Sequence, residues 1–471
     1  MVRLQETIEV PRPIEDAFFY TSNFANIAQW DPGVAESSRI SQGPIDIDTE
    51  FRVLVKFGPR SIPMTYIIRV YEPPHRVVLE GKSDSIYALD DIRFTAAVNG
   101  GARITYTADI SFLGLIGYAE PFMRRMLAGV GKNAIRGLQA ALSADPPPPS
   151  QSLWTYLQDR LILPGMLGFT NLGYYWHHRS WKPQALSLRG KTAIVTGATS
   201  GLGQAAARQL AELGGRVVLI GRNPAKAAAV QQEIVSATGN PDVAVEIADL
   251  SLLAEVRQLA QRLLAREPRI DILINNAGVL LNERSVTAEG IETTLATNLL
   301  APFLLTNLLL PRLKQSAPSR IIDVSSGGMY TSGIVVDDLQ YQQSDFNGGM
   351  AYARTKRGLV ILTELWAERL KDSGVVAHAM HPGWADTPGV ESSLPLFHKL
   401  TKRLLRTPEE GADTITWLAA SREAGKVSGY FWLDREPHIT HVLPGTQESA
   451  EDRQRLWAAL SQLADWREAG G

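Results

Sequence analysis

The chain contains no cysteine. Disulfides, thiolate metal sites and a cysteine nucleophile are therefore excluded. Net charge is also nearly absent: 47 Lys and Arg against 49 Asp and Glu leave −2. No overall basic field recruits nucleic acid. Long apolar runs are missing as well. The longest, Leu299 to Leu310, is broken by Pro302, Thr306 and Asn307. It falls short of the about 20 residues that a bilayer-crossing helix needs. The opening MVRLQETIEVPRP has no apolar segment of the secretory kind. A cytosolic protein is the expectation. His177 and His178 are adjacent and share no face in a helix or strand, so no metal site is expected.

At 471 residues the chain should hold two or three domains. The first division falls at SADPPPPS, residues 143–150, where four prolines form a semi-rigid polyproline II spacer. Before it, Leu4–Val10 reads as a strand, and Pro13 opens a helix through Ala17 and Phe18. Alternating runs follow at Phe51–Phe57, Met64–Tyr71, Val77–Glu80, Ile92–Ala97 and Ala102–Phe112. A helix from about Pro121 to Leu142 carries Phe122, Met126, Val130 and Leu138 on one face. An antiparallel sheet curved around that helix buries these faces and leaves a cavity between them. Residues 1–145 form the first expected domain.

This part, through IEVPRPIEDAFFYTSNFANIAQWDPGV, the strand series and the terminal helix, resembles the START-like SRPBCC (polyketide cyclase-like) superfamily. The resemblance implies a helix-grip α+β domain with a hydrophobic ligand cavity and no fixed catalytic set. Trp30 and Asp31 are read as a packed ring beside a solvated acid, with the mouth of a pocket as the alternative.

Residues 146–189 read as a Pro-rich and aromatic linker. Trp154, Tyr156, Phe169, Tyr174, Tyr175, Trp176 and Trp181 crowd it. Such a segment either straps over the next domain or rests on a membrane surface, giving peripheral contact through 151–190.

From Lys191 onward apolar strands alternate with helical patterns. The strands are Thr192–Thr196, Arg216–Ile220, Val243–Ile247, Ile270–Ile274, Arg320–Val324, Val375–Met380 and Gly429–Leu433. This alternation predicts a Rossmann-type, doubly wound parallel sheet over 190–445, with ligand at the carboxyl edge of the strands. Residues 446–471 end in an amphipathic helix. Its Leu456, Leu460 and Leu463 dock either on its own fold or on a second subunit in a homo-oligomer.

The first strand runs into TGATSGLG. Gly197, Thr199, Ser200, Gly201, Leu202 and Gly203 form a turn whose glycines let a phosphate approach. The helix N-terminus behind it favours the anion. The second strand ends at Arg222, where dinucleotide folds for NAD place an acid on the ribose 2′-hydroxyl. A guanidinium there pairs with a 2′-phosphate, which predicts NADP(H) over NAD(H). Asp249 and Leu250 follow the third strand, where an adenine would rest. Asp249 either bonds the exocyclic amine or caps the next helix.

Tyr352 and Lys356 are one helical turn apart in AYARTKRGLVILTELWAERL. A tyrosine near pKa ~10 exchanges protons poorly at neutral pH, and an adjacent ammonium should lower that value. The phenol can then serve as acid or base at a carbonyl or alcohol oxygen, worth roughly 10²–10⁴-fold. Ser325 and Ser326 close the strand RIIDVSS. Neighbouring strand residues face opposite ways, and Ser326 is chosen as the group orienting a substrate oxygen. Asn298, polar within TLATNLLAPFLL, either holds a water relaying protons to Lys356 or is a satisfied buried amide. His381 suits packing or backbone bonding. Thr387 is placed to bond a nicotinamide carboxamide.

TGATSGLG, NNAG, Asn298, VSS, YARTK and HPGWADT in this order resemble the short-chain dehydrogenase/reductase family over residues 190–390. The resemblance implies hydride transfer at nicotinamide C4. It implies Ser326, Tyr352 and Lys356 as a catalytic triad, Asn298 as the fourth member, and Asn276, Ala277, Gly278, Pro382 and Gly383 as cofactor contacts. HPGWADTPGV, EGADTITWLA, FWLDREPHITH and the insert VDDLQYQQSDFNG point to its retinol dehydrogenase-like branch. The expected activity interconverts carbonyl and alcohol on a hydrophobic, lipid-like or polyketide-like substrate. The alternative is a lipid-binding or transfer protein whose reductase-like domain senses nicotinamide state.

Overall fold

The computed structural model describes residues 2–42, 44–57, 60–97, 101–112, 120–143, 151–181, 184, 186–387, 398–399, 401–443 and 445–467. The polyproline expectation, and the part of HPGWADTPGV beyond Thr387, lie outside them. The chain divides into two compact units, Met1–Pro147 and Pro148–Gly471.

In the first unit, β1 (Val2–Val10), β2 (Val34–Arg39), β3 (Glu50–Phe57), β4 (Arg60–Glu72), β5 (Arg76–Lys82), β6 (Ile86–Ala96) and β7 (Ala102–Phe112) form one antiparallel sheet. Its order is β1-β7-β6-β5-β4-β3-β2. The alternation of β6, with Ile86, Ala88, Ile92 and Phe94 inward, matches a sheet covered on one face. The helix Glu120–Ser143 packs against β1 and the short helix Ile27–Trp30. Leu138 is fully buried there; the placement of the Phe122, Met126 and Val130 side chains lies outside the described residues. A cavity of about 200 Å³ lies between the sheet and this helix. The strand β2 was missing from the sequence reading. VAESSR has no apolar alternation because it is an edge strand with mostly outward side chains.

In the second unit the sheet comprises β8 (Thr192–Thr196), β9 (Arg216–Gly221), β10 (Val243–Ile247), β11 (Ile272–Asn275), β12 (Ser319–Val324), β13 (Val375–Met380), β14 (Tyr430–Leu433) and β15 (Glu436–His438). Its order is β10-β9-β8-β11-β12-β13-β14-β15, parallel except for the last pair. Separate apolar clusters cover its two faces. The strand order reverses at β8 and β11, the switch point where such sheets bind ligands.

One sequence expectation changes here, and two stretches take up one of their stated alternatives. The apolar run around Leu299 continues as a helix from Thr293 to Gln315, 23 residues, long enough by length and composition to cross a membrane. Pro302 lies inside it, directly after the π-helical turn Ala296–Leu300, and does not end the helix. Within this fold the helix is a core element: 83% of its apolar window is buried against other protein segments. The stretch 151–189, read as a linker, carries helices at Leu153–Gln158, Ile162–Gly168 and Asn171–His178. Glu436 accepts from Ser152 N (2.9 Å), and Asp159 accepts from Ile439 N (3.2 Å). These bonds pin the stretch to the β14–β15 hairpin. The C-terminal helix Ala450–Leu463 docks on its own fold, with Leu456 and Leu460 fully buried beside Phe303 and Trp366.

Candidate active site

The glycine turn is held from below. Asn276 donates from Nδ2 to Thr196 O at 2.8 Å. The N–H groups of Asn276 and Ala277 donate to Thr196 Oγ1 at 2.9 and 3.1 Å. Asn276 thus braces the turn with its side chain. Gly203 belongs there because a Cβ would lie 2.3 Å from Gly197 O and 2.4 Å from Asn276 Nδ2. Gly197 and Gly201 have φ of +66° and +54°, which side-chain-bearing residues rarely adopt. The helix Gly201–Glu212 has Ser200 at its N-cap without a side-chain cap bond. Its first N–H groups are therefore left for an anion. Leu202 turns away and approaches the position of Gly411. Thr199 packs over Gly221 at the tip of β9. Arg222, the next residue, is exposed.

Asp249 does not cap the following helix. Its Oδ1 accepts from Ser251 N (2.9 Å) and Oγ (2.8 Å), closing a local turn. The helix Leu253–Arg266 is capped instead by Glu289, which accepts from Leu253 N and Ala254 N at 2.6 and 2.9 Å. Leu250 is buried in the core. Gly278 is exposed beside the site; a Cβ on it would sit 3.1 Å from Lys356 Nζ and 3.4 Å from Asn298 Oδ1.

Tyr352 and Lys356 lie on the helix Gly348–Arg369, opened by Asn347, whose Oδ1 accepts from Met350 N at 3.0 Å. Ser325 is buried and donates to Lys356 O at 2.9 Å. Ser326, on the other side of the strand tip, caps a short turn through Gly328 N at 3.2 Å and lies beside Tyr352. Lys356 Nζ donates to Val324 O at 2.8 Å and lies 5.7 Å from the centre of the Tyr352 ring.

The electrostatics correct one expectation. Burial pushes the Tyr352 phenol up, and only the Ser326 hydroxyl pulls it down. Lys356 is itself pushed down to about 8 by burial, opposed by the charge of Asp323. The ammonium is fixed on Val324 O rather than on the phenol oxygen, so the chain alone does not make the phenol more acidic. Asp323, absent from the sequence reading, is fully buried on β12 and pushed up to about 7 by burial. It accepts from Thr363 Oγ1 (2.6 Å) and Asn275 Nδ2 (2.8 Å). An acid two residues before the serines in an apolar strand was the signal that could have found it.

Asn298 is fully buried, and its amide is already engaged. Oδ1 accepts from Val279 N (2.8 Å); Nδ2 donates to Val279 O (2.9 Å) and Thr355 Oγ1 (3.2 Å). Both amide hydrogens are therefore engaged, and Oδ1 keeps a second lone pair. The surrounding backbone, Ala296–Leu300, is a π-helical turn, a feature frequent at functional sites. Sequence spacing carries no mark of it.

The wall beyond the serines comes from the 151–178 stretch. The Phe169 ring meets His381 edge-on at 4.5 Å and parallels Tyr330 at 6.4 Å. Phe169 O accepts from Trp384 N at 2.7 Å. His381 is buried and neutral, with Nδ1 accepting from Gly383 N at 3.0 Å; burial and Arg406 hold its pKa well below the usual range. The Pro382–Gly383 turn leans on Arg406, which is 1% exposed. That guanidinium donates to Asp434 (2.6 and 2.8 Å), Gly168 O (2.6 Å) and Thr170 O (3.1 Å). A missing partner there would strand a buried charge. Thr387 is the last described residue of this loop.

A glycine turn at a helix N-terminus, on the switch point of a parallel sheet, with Ser, Tyr and Lys at the neighbouring strand tips, defines a dinucleotide-dependent oxidoreductase. The family profile "short chain dehydrogenase" matches residues 191–395, and "Polyketide cyclase / dehydrase and lipid transport" matches residues 1–143. Human dehydrogenase/reductase SDR family member 12 is 38% identical over 304 residues, 64% of this chain and 95% of that protein. Human retinol dehydrogenase 13 is 37% identical over 294 residues, 60% of this chain and 86% of that protein. An uncharacterized protein of Mycobacterium paratuberculosis superposes with a TM-score of 0.50 at 27% identity, covering 61% of this chain and 99% of that one. The chain belongs to the short-chain dehydrogenase/reductase family and is an NAD(P)-dependent oxidoreductase, preceded by a polyketide cyclase-type domain.

Proposed function

We propose that the protein interconverts a carbonyl and an alcohol on a hydrophobic substrate with NADP(H). The grouping of Ser326, Tyr352 and Lys356 beside Gly278 carries this reading. When bound, the nicotinamide supplies or accepts a hydride at C4. Gly197, Thr199, Gly201 and Gly203 shape a turn that fits its pyrophosphate, because the helix behind it opens without a side-chain cap and leaves its first N–H groups for an anion. Tyr352 holds the proton exchanged with the substrate oxygen, and Ser326 orients that oxygen through its hydroxyl. Lys356 places positive charge beneath the site, and Asn298 fixes the Gly278 loop against the helix that carries Tyr352.

Arg222 is exposed, and among the described residues no ion pair occupies it. That supports a 2′-phosphate partner and hence NADP(H). The relatives named for retinol, and the domain over residues 1–145 with its cavity, support an apolar substrate captured or presented by that domain. Leu161, Met166, Leu172, Tyr175 and Trp176 are exposed on 151–190, which supports peripheral membrane contact by an otherwise cytosolic protein.

The test is NAD(P)H oxidation over a panel of apolar aldehydes and ketones. Turnover with a clear NADPH preference is expected. Protein that carries lipid yet oxidises no nicotinamide across the panel would favour the transfer-protein reading, which the cavity also supports.

A further inference from the structure

The cavity of the first unit has a polar end that the fold alone does not call for. On β6 the inward positions are Ile86, Ala88, Asp90, Ile92 and Phe94. Asp90 is 5% exposed and interrupts an apolar face. Burying a carboxyl without a cation costs several kcal/mol, and no basic group pairs with it among the described residues. Around it in the same cavity lie Asp31, Tyr66, Tyr106 and Trp30. The indole Nε1 of Trp30 is buried without a hydrogen-bond partner, and this residue is 4% exposed. Tyr66 is held over the sheet by a glycine: a Cβ at Gly81 would lie 2.5 Å from its ring. Glu6 and Lys56 also line it, and the rest of the wall is largely apolar, including Ile27, Val53, Met64, Ile86, Phe112 and Ile135.

We infer that this cavity binds a small apolar molecule through an uncharged oxygen, a ketone or alcohol, and discriminates against carboxylates of the same size. The inference rests on the proposed reading that the first domain takes an apolar ligand. It adds the groups that read the ligand's head and the sign of charge they reject. Tyr66 supplies a hydroxyl donor, the Tyr106 hydroxyl is turned to Asp90 beside it, and Asp31 and Asp90 supply negative charge that repels an anion. Burial and the neighbouring Asp31 push Asp90 up to about 7, while the Tyr106 hydroxyl opposes them. Asp31 is raised by burial and drawn back by Gly33 N and Lys56. Lys56 also lines the cavity; it is exposed and its ammonium is engaged with Pro32 O at 3.1 Å. Glu6, also lining the cavity, adds negative charge, and Asp109 nearby is paired with Arg3 at 2.7 Å. At about 20–30 Å³ per heavy atom, about 200 Å³ suits a molecule on the order of eight carbons.

The test uses the full-length protein with ¹³C-methyl methionine. Met64 lines the cavity and reports binding there, apart from the reductase site; its signal is assigned with Met64→Leu. The probes are 2-octanone, 1-octanol, octanoate and octylamine at pH 8. The ketone and alcohol are expected to shift Met64 saturably, with octanoate about tenfold weaker or worse, as one repelled charge at about 1.4 kcal/mol requires. Asp90→Asn should narrow that gap to below about threefold. Tyr66→Phe should weaken the ketone about fivefold, the value of one hydrogen bond. Octanoate binding as well as octanol, octylamine binding best, or a gap unchanged in Asp90→Asn would overturn the inference and leave the apolar-ligand reading standing. No response of Met64 to any probe would remove both.

Discussion

Asp323→Asn isolates the least expected group in the site. The new amide can keep both contacts. Its oxygen accepts from Asn275, and its nitrogen donates to Thr363 Oγ1, which already lies 2.9 Å from Leu359 O as a donor. What changes is charge. Asp323 is pushed from 3.8 to about 7, so the folded protein holds this proton after the unfolded chain has released it. Its contribution to stability is therefore largest at low pH and declines as pH rises from about 4 to about 7. The full decline is on the order of 4 kcal/mol. Asp323→Asn should lose that decline and melt higher than the parent at pH 8, by several degrees for a domain of this size. The second consequence concerns Lys356, held at about 8 partly by this carboxylate. Removing the negative charge lowers the ammonium further. Activity that needs the charged lysine should then lose its basic limb at a lower pH. Thermal melts from pH 5 to 8.5 and kcat/KM profiles over the same range read both effects. Parallel melting curves with an unmoved basic limb would refute the coupling.

Other substitutions probe the remaining parts. Arg222→Asp should reverse the cofactor preference, lowering kcat/KM for NADPH by about tenfold or more, since a charge-assisted bond worth 1.5–3 kcal/mol is lost; an unchanged NADPH/NADH ratio would show that Arg222 does not read the 2′-phosphate. Gly203→Ala forces atoms at 2.3 and 2.4 Å apart. It should cost about 1–3 kcal/mol of stability and weaken nucleotide binding, as thermal shift with and without NADPH would record. Phe169→Ala opens the wall beside His381 and should raise KM for the apolar substrate more than it changes kcat, which steady-state kinetics separate.

Much of the architecture was readable because its signals are local. The β-branched runs of the parallel strands, the glycine turn and the Tyr352–Lys356 spacing each lie within one element. The β14–β15 hairpin was not readable. Its two-residue turn, Asp434 and Arg435 with φ of 52° and 62°, lacks the Asn-Gly signature of such turns. It is held by side chains distant in sequence, Arg406 and Asp413. Asn298 drew attention as a polar residue in an apolar helix, yet its partners on Val279 and Thr355 depend on tertiary contact. The expected acidification of Tyr352 failed because sequence spacing gives neither burial nor the direction of the Lys356 ammonium. Asp90 and Asp323 share one lesson. An acid at an inward strand position looks like an irregular alternation until the fold shows what surrounds it.

The central claim is that the Tyr352 hydroxyl exchanges the proton with the substrate oxygen. Tyr352→Phe removes that one atom and leaves Lys356, Ser326 and the nucleotide cradle in place. The decisive measurement is NADPH consumption by this variant on the best substrate of the panel, alongside its NADPH affinity by fluorescence. The account predicts turnover reduced by at least about 10²-fold with affinity within about threefold of the parent. Turnover near the parent level, with the variant folded and binding NADPH, would contradict it.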